Sequence, residues 1–363
     1  MLSQNVILPL IYFIYSRKKV EQGKTVFADA HHDKCPPSME LLRAEWKKRG
    51  YPIVDIYLDY QKNSYGKVLR SMFAFMKQYA TASYVVICDN FLPVTAGKKR
   101  KETTVIQLWH GCGAFKKFGY DSKEDIPPYY KGKVYHNYDI VTVSSPACCK
   151  AFSHAMALPL GCMLPVGISR TDKYYDRHYL AQAKEKFLKA YPQAAGKKVV
   201  LYAPTFRGNA ARPELSVEKD AVEALKELGA QWYVIVKKHP HMESDREKKG
   251  LSTEEILPFA DVLISDYSSV IFDFCIFNRP IIFYAPDLEE YEKNRGFYLD
   301  YKKLPGSIVT SAKYLKQAVE EPDSYVLQRK EFFLKYMKNC DGKVTLRLAD
   351  YMEHLQSEGK KSK

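Results

Sequence analysis

The chain has 363 residues, more than one hydrophobic core usually serves, so its length alone favours two domains. With 46% apolar and 27% charged residues and ordinary glycine and proline counts, it is neither disordered, collagen-like nor disulfide-dense. Lys and Arg outnumber Asp and Glu by 56 to 42, and the net charge of +14 points to an anionic partner.

The first predicted element is the apolar run 6–15, VILPLIYFIY, followed directly by Arg17, Lys18 and Lys19. It is too short to span a bilayer, which needs about 20 helical residues, and no small-residue cleavage site follows it. Residues 1–23 therefore read as an interfacial segment on an anionic membrane surface, with Tyr12 and Tyr15 near the headgroups and the basic triplet on lipid. A first element packed on its own domain has the same composition, so both readings stand.

From Lys24 onward, short β-rich runs alternate with amphipathic segments of helix length. Strands are predicted at 24–28, 52–58, 84–88, 105–109, 140–143 and 163–166, with helices at 39–48 and 68–79. Ser145-Pro146 reads as an N-cap with proline at the first helical position. The polar stretch 168–177 has no periodicity and places a domain boundary after Gly167. Strands then recur at 198–203, 232–237, 262–265 and 280–284, with helices opening near Ser216, Ser252 and Ser268. Ser252 and Glu255 fit a capping box, and the C-terminal tail is helical in pattern. Two consecutive α/β halves, 24–167 and 168–363, predict two doubly wound parallel sheets facing a central cleft, with ligands beyond the carboxyl ends of the strands.

Several polar residues follow predicted strands. His110 comes after the 105–109 strand and before Gly111 and Gly113, which let backbone approach a ligand. A histidine there is either a general base, since a free imidazole can take a proton near neutral pH, or a strand-end group bonded to a carbonyl. Lys116 and Lys117 are placed to meet a phosphate. Lys237, Lys238 and His239 leave the 232–237 strand before Pro240 and form either an anion site or a solvated basic loop. No Cys, Asp or Glu at ligand spacing accompanies His239 and His241, so no metal is expected. Asp266, Ser268 and Ser269 stand where a helix opens, a site for phosphate or pyrophosphate that also suits plain capping. Thr205 and Arg207 follow the 198–203 strand, where a guanidinium can hold phosphate bidentately. Arg295 is a further cation, on the cleft side or in a surface ion pair.

The basic tetrad 98–101, KKRK, has no base-stacking aromatic neighbours and no recognised module around it. It reads by default as a solvated loop, and nucleic acid is not an expected partner. The eight cysteines include no C-x-x-C pair, and Cys88 and Cys275 sit in apolar runs, which suits a reducing cytoplasm.

Taken in order, several segments resemble the CDP-glycerol:poly(glycerophosphate) glycerophosphotransferases of teichoic acid synthesis. They are WHG at 109–111 with KKFG at 116–119, APTFRG at 203–208, KKHP at 237–240, SDYSSVIFD at 265–273, RPIIFYAPDLEEY at 279–291, RGFYLDY at 295–301 and DGK at 341–343. The resemblance implies a GT-B architecture of two Rossmann-like domains and a transferase that uses neither metal nor cofactor. It also implies a peripheral protein on the cytoplasmic face of the cell membrane. Such enzymes move glycerol phosphate, or ribitol phosphate in relatives, from a CDP-activated donor to a hydroxyl on a lipid-linked acceptor, releasing CMP.

Carried over by position, His110 is the catalytic histidine of the acceptor side and His239 that of the donor side. Ser268 and Ser269 hold donor phosphates, with Asp266 and Arg207 nearby. With Thr205, Lys237 and Arg295 they make up the expected donor set. The expected mechanism is in-line attack by an acceptor hydroxyl deprotonated by His110, with His239, Arg207 and the Ser268 helix end stabilising the departing CMP. A homo-oligomer is compatible with this plan.

The chain departs from the family pattern at Cys112-Gly113-Ala114-Phe115, where many members carry Thr-Pro-Leu, and at Asp33-Lys34-Cys35-Pro36, where many show Ser-Asp-Asn-Pro. The long N-terminal extension of some polymerases is not seen. A primase, a short-chain transferase and a polymerase of another polyol phosphate all fit. The rivals are a GT-B glycosyltransferase using a nucleotide sugar and a non-catalytic membrane-bound scaffold for anionic polymer.

Overall fold

The computed structural model describes residues 3–126, 132–205, 207–209, 212–214, 218–237 and 250–361. Helix α1 (Leu8–Tyr15) precedes strands β1 (Glu21–Asp29), β2 (Ile53–Tyr57), β3 (Ala82–Ile87), β4 (Thr104–Gln107), β5 (Ile140–Thr142) and β6 (Met163–Leu164). Helices α2 (Pro37–Lys48), α3 (Tyr65–Tyr79) and α4 (Cys149–Met156) are interleaved with them. The six strands form one parallel sheet in the order β2-β1-β3-β4-β5-β6. Val26, Phe27 and Ala28 of β1 and Val85, Val86 and Ile87 of β3 are all fully buried, as strands covered on both faces must be.

The second half holds α5 (Arg177–Ala190), β7 (Lys198–Ala203), β8 (Arg207–Asn209), β9 (Arg212–Glu214), α6 (Glu218–Leu225), β10 (Trp232–Val236), α7 (Thr253–Ile256) and β11 (Val262–Ser265). It continues through α8 (Val270–Phe274), β12 (Ile281–Tyr284), α9 (Leu288–Asn294), β13 (Ser307–Val309), α10 (Leu315–Glu320), α11 (Val326–Tyr336) and α12 (Val344–Lys361). Its parallel sheet runs β10-β7-β11-β12-β13. On one face Val200, Tyr202, Val262 and Ile264 pack with Leu225 of α6 and Leu315 of α10. Each sheet places its second strand outside its first and its third on the other side. The winding therefore reverses between β1 and β3 in one sheet and between β7 and β11 in the other, and ligands of such sheets bind at that reversal.

Every predicted strand is present. The three-residue strands β8, β9 and β13 are too short to show a period. The Ser252–Glu255 capping box forms in both directions. The helix expected near Ser216 is α6, which begins at Glu218, while Ser216 itself lies outside the described residues. The helix after Ser268 is shorter than expected: α8 has five residues and passes into a 3-10 turn, Cys275–Phe277, ended by left-handed Asn278.

The chain divides into two compact units, and the division differs from the expected one in three segments, 112–127, 168–172 and 339–363. Unit one comprises Met1–Gly111, Pro128–Asp172 and Asn339–Lys363, and unit two comprises Cys112–Pro127 and Lys173–Lys338. The C-terminal tail returns to unit one because α12 buries Leu348, Ala349 and Met352 there. Tyr84 donates its hydroxyl to the Met352 carbonyl at 2.6 Å, and Arg49 of unit one pairs with Asp350 and Glu353, each at 2.8 Å. Gly167, at φ +99°, lies so close to the returning chain that a Cβ there would be 2.4 Å from the Asn339 carbonyl oxygen. Segment 112–127 goes the other way. The Lys117 N–H donates to Gly296 O at 3.1 Å, Tyr298 N–H donates to Phe115 O at 2.8 Å, and Phe115 stacks on Phe297.

The N-terminal helix combines features of both readings. Leu8 and Tyr12 of α1 are buried, with the Tyr12 ring 4.9 Å from Tyr79 of α3. The Tyr12 hydroxyl accepts the Arg100 N–H at 2.9 Å, so Tyr12 is an internal contact and not a headgroup ligand. Val6, Leu10, Phe13 and Ile14 are each more than half exposed. Two residues of the KKRK tetrad serve structure, against the expectation of a solvated loop. Arg100 donates to the Ser16 and Lys18 carbonyls at the end of α1, and Lys99 pairs with Asp139 at 2.9 Å. Among the described residues, no helix is long and apolar enough to cross a membrane.

Candidate functional site

In unit two, the loops after β7 and β11 are fastened to each other at the winding reversal. Asp266, the first residue after β11, is 2% exposed, and its Oδ1 accepts the Thr205 N–H at 2.8 Å and the Tyr267 N–H at 2.6 Å. The Ser265 hydroxyl donates to Ala203 O, and the Tyr301 hydroxyl donates to Asp266 O. Thr205 is buried here. Ser268 Oγ accepts the Val270 N–H at 3.3 Å, while Ser269 holds the N-cap position of α8 without a side-chain cap bond. Lys237 is buried at the end of β10, its N–H bonded to Tyr202 O of β7.

Other expected donor residues fall elsewhere. Arg207 begins β8, but its side chain and the whole of His239 lie outside the described residues. Arg295 contacts Glu124 at 3.1 Å and Asp125 at 2.8 Å and donates to the Lys117 carbonyl, so of its two expected readings the ion pair is the one observed. It clamps segment 112–127. Gly113 also serves packing, because at φ +67° its missing Cβ would sit 2.3 Å from the Phe272 ring.

In unit one, the end of β4 builds a frame around His110. Buried Gln107 accepts the Trp109 N–H through Oε1 at 2.9 Å and donates through Nε2 to the Asp89 carbonyl at 3.1 Å. Trp109 has φ +59°, a left-handed conformation that costs a bulky residue strain and persists where its surroundings hold it. Its ring stacks on His110 at 4.8 Å and meets Phe152 edge-on. The His110 carbonyl accepts from Nε of buried Arg170 at 3.2 Å. The side chain is 54% exposed, and its Nδ1 lies 3.3 Å from Asp89 Oδ2. A carboxylate beside Nδ1 leaves Nε2 for a substrate proton, the arrangement a general base needs.

Local sequence pattern points to His110 but not to Gln107 or Arg170, whose roles come from partners on other elements. Asp89 did carry a signal, since Asp89-Asn90 directly follows the apolar run 84–88. That pair shares more with the Ser-Asp-Asn-Pro stretch than 33–36 does.

Two Rossmann-like parallel-sheet units, each with polar residues where its winding reverses, make a GT-B-like fold. The model of the CDP-Glycerol:Poly(glycerophosphate) glycerophosphotransferase family matches residues 10–354, and the chain belongs to that family. A teichoic acid ribitol-phosphate primase of Bacillus spizizenii is 34% identical over 94% of this chain and 93% of its own length. A teichoic acid glycerol-phosphate primase of Bacillus subtilis is 31% identical over 85% of this chain and 81% of its own. The solved structure of the wall teichoic acid polymerase TagF superposes with a TM-score of 0.76 at 24% identity, covering 97% of this chain and 94% of that one.

Asp266→Ala removes the acceptor of two N–H groups and is expected to lower stability by about 2 to 4 kcal/mol. Asp266→Asn keeps an oxygen in place and is expected to cost about 1 kcal/mol. Urea denaturation of both variants measures the difference, and equal losses contradict the fastening role.

Proposed function

We propose that the protein transfers a polyol phosphate, glycerol phosphate or ribitol phosphate, from its CDP-activated form to a hydroxyl of a lipid-linked teichoic-acid-type acceptor, releasing CMP. The observation that carries this reading is the family match over 10–354 together with the framed, half-exposed His110 beside Asp89. Unit one takes the acceptor. Unit two takes the donor, its diphosphate at the loops after β7 and β11 with Thr205, Arg207, Lys237, Ser268 and Ser269, and His239 on the departing CMP. Asp266 holds those loops in place and does not itself meet an anion, since a carboxylate repels phosphate.

In the reaction, the acceptor hydroxyl oxygen attacks the β-phosphorus in line. The bond from that phosphorus to the bridging oxygen breaks, CMP leaves with the bonding electrons, and the hydroxyl proton passes to His110 Nε2. Positioning and charge stabilisation supply most of the rate, and no step needs a metal or cofactor. With a lipid-linked acceptor, purified protein is expected to release CMP from CDP-glycerol or CDP-ribitol. His110→Ala is expected to slow release by about a hundredfold or more and to leave CDP-polyol affinity within about twofold. Release at the unaltered rate from the variant removes His110 as the base.

The same reading puts the protein on the cytoplasmic face of the membrane as a peripheral protein. Supporting it is the outer face of the N-terminal segment, where Val6 just before α1 and Leu10, Phe13 and Ile14 of α1 are exposed beside Arg17, Lys18 and Lys19, a pairing of apolar and basic groups that suits anionic lipid. Flotation with phosphatidylglycerol vesicles is expected to recover the native protein. The double substitution Leu10→Asp and Phe13→Asp is expected to lower partitioning about tenfold or more. Undiminished flotation of that variant sinks the assignment.

A further inference from the structure

The end of β1 carries a second aspartate–histidine pair that the reaction outlined above does not use. Asp29, the last residue of β1, is 1% exposed on its side chain. Its Oδ2 accepts His32 Nδ1 and the His31 N–H, each at 2.8 Å, and the Cys88 thiol lies 3.8 Å from Oδ1. The His32 side chain is 47% exposed. Because Nδ1 is committed to Asp29, the ring presents Nε2 away from the carboxylate, and the exposure of the ring leaves that nitrogen open to a ligand.

The place is one where a ligand is expected on topological grounds. Asp29 ends β1 and Asp89 follows β3, the two strands that flank the winding reversal of this sheet. Register puts Phe27 beside Val86 and Val86 beside Ile106, so the residues after β1, β3 and β4 emerge at one level. With strands about 4.8 Å apart, His32 and His110 leave the sheet two strands, or roughly 10 Å, from each other.

Charge selects the kind of ligand. Burial alone would raise the Asp29 carboxyl, but the hydrogen bonds from His32 and His31 outweigh it and hold it below the usual range. The Asp29 bond in turn raises His32, with Asp89 and Asp59 adding to it through space. Asp59 is paired with Lys62 at 2.5 Å and accepts the Gln61 and Lys62 N–H groups, while Asp33 accepts the Asp59 N–H. Lys62 offsets Asp59, and the carboxylates of Asp29, Asp33 and Asp89 leave the surroundings acidic. A phosphate is repelled there. A neutral group with several hydroxyls is suited, since each hydroxyl can both donate to and accept from an imidazole nitrogen and can donate to carboxylates. Among the described residues, no three His, Cys, Asp or Glu side chains come together to hold a metal ion.

We propose that His32, positioned by Asp29, forms a hydrogen bond through Nε2 with a hydroxyl of the acceptor's terminal polyol unit, next to the hydroxyl that His110 deprotonates, and so selects polyol-terminated acceptors. This rests on the polyol-phosphate transfer proposed above. His32 is then a specificity residue, and Asp29 acts through it.

The test is binding first and turnover second. Short alkyl-linked glycerol phosphate and ribitol phosphate, and their counterparts lacking the hydroxyl next to the terminal one, are titrated into the full chain by calorimetry. His32→Phe keeps a ring of similar size and removes the nitrogen that bonds the hydroxyl. It is expected to weaken binding of the hydroxylated probes about tenfold, and the native protein is expected to bind the deoxy probes about tenfold more weakly. The variant should bind both kinds alike, the mark of one shared contact in a double-mutant cycle. In the transfer assay the loss should appear in acceptor KM, with kcat and donor KM little changed. Asp29→Asn, which keeps an acceptor for Nδ1–H, should lose less than His32→Phe. If His32→Phe binds the hydroxylated probes as the native protein does, or if it still distinguishes them from the deoxy probes, the proposal is overturned. Absence of CMP release by native protein from either CDP-polyol would instead overturn the transfer reading, and the calorimetric comparison would still decide the role of His32.

Discussion

Both sheets rely on a buried carboxylate at the place where their winding reverses. Loops that leave adjacent strands in opposite directions take backbone N–H groups away from any ladder partner, and a buried N–H left without an acceptor costs about 1 to 3 kcal/mol. Asp266 meets this need in unit two by accepting from Thr205 and Tyr267. Asp29 meets it in unit one by accepting from His31 while also fixing the His32 ring. Asp29 thereby also sets the direction of the His32 ring, while Asp266 fixes the backbone on either side of the reversal. Architecture and site chemistry are therefore joined at the same two residues.

The frame around His110 shows what such positioning requires. Gln107 reaches from the end of β4 both forward to Trp109 and sideways to the residue after β3. The left-handed Trp109 stacks its ring on the imidazole, and Arg170 holds the His110 carbonyl. A histidine that is half exposed, yet fixed at its ring face, its carbonyl and its Nδ1 side, keeps one orientation while staying open to solvent, as the proposed base must.

Much of the fold was legible because parallel strands buried on both faces read as unbroken apolar runs, as 84–88 and 262–265 do. The residue type directly after such a run then pointed to His110 and Asp266. What was not legible depends on partners far away in sequence. Arg49 meets Glu353 across 304 positions, which is why the C-terminal helix joined the first unit against expectation. Cations were the least readable class. Lys99 and Arg100 looked like solvent-facing groups and are instead tied to a carboxylate and to carbonyls, and of the two readings open for Arg295 the sequence could not choose the ion pair that forms. A positive side chain in a sequence carries no mark of whether its anion is internal. The surplus of +14 is thus less available to ligands than its size suggests, while Arg17, Lys18 and Lys19 remain exposed.

The central claim is a division of labour: the strand ends of unit two hold the CDP-activated donor, and those of unit one hold the acceptor and the base. Amide hydrogen exchange with and without saturating CDP-glycerol or CDP-ribitol tests it most directly. Slowed exchange is expected at residues 205 and 266–269, with 107–111 unchanged until acceptor is added. Donor-induced protection at 107–111, with none at 205 and 266–269, would contradict it.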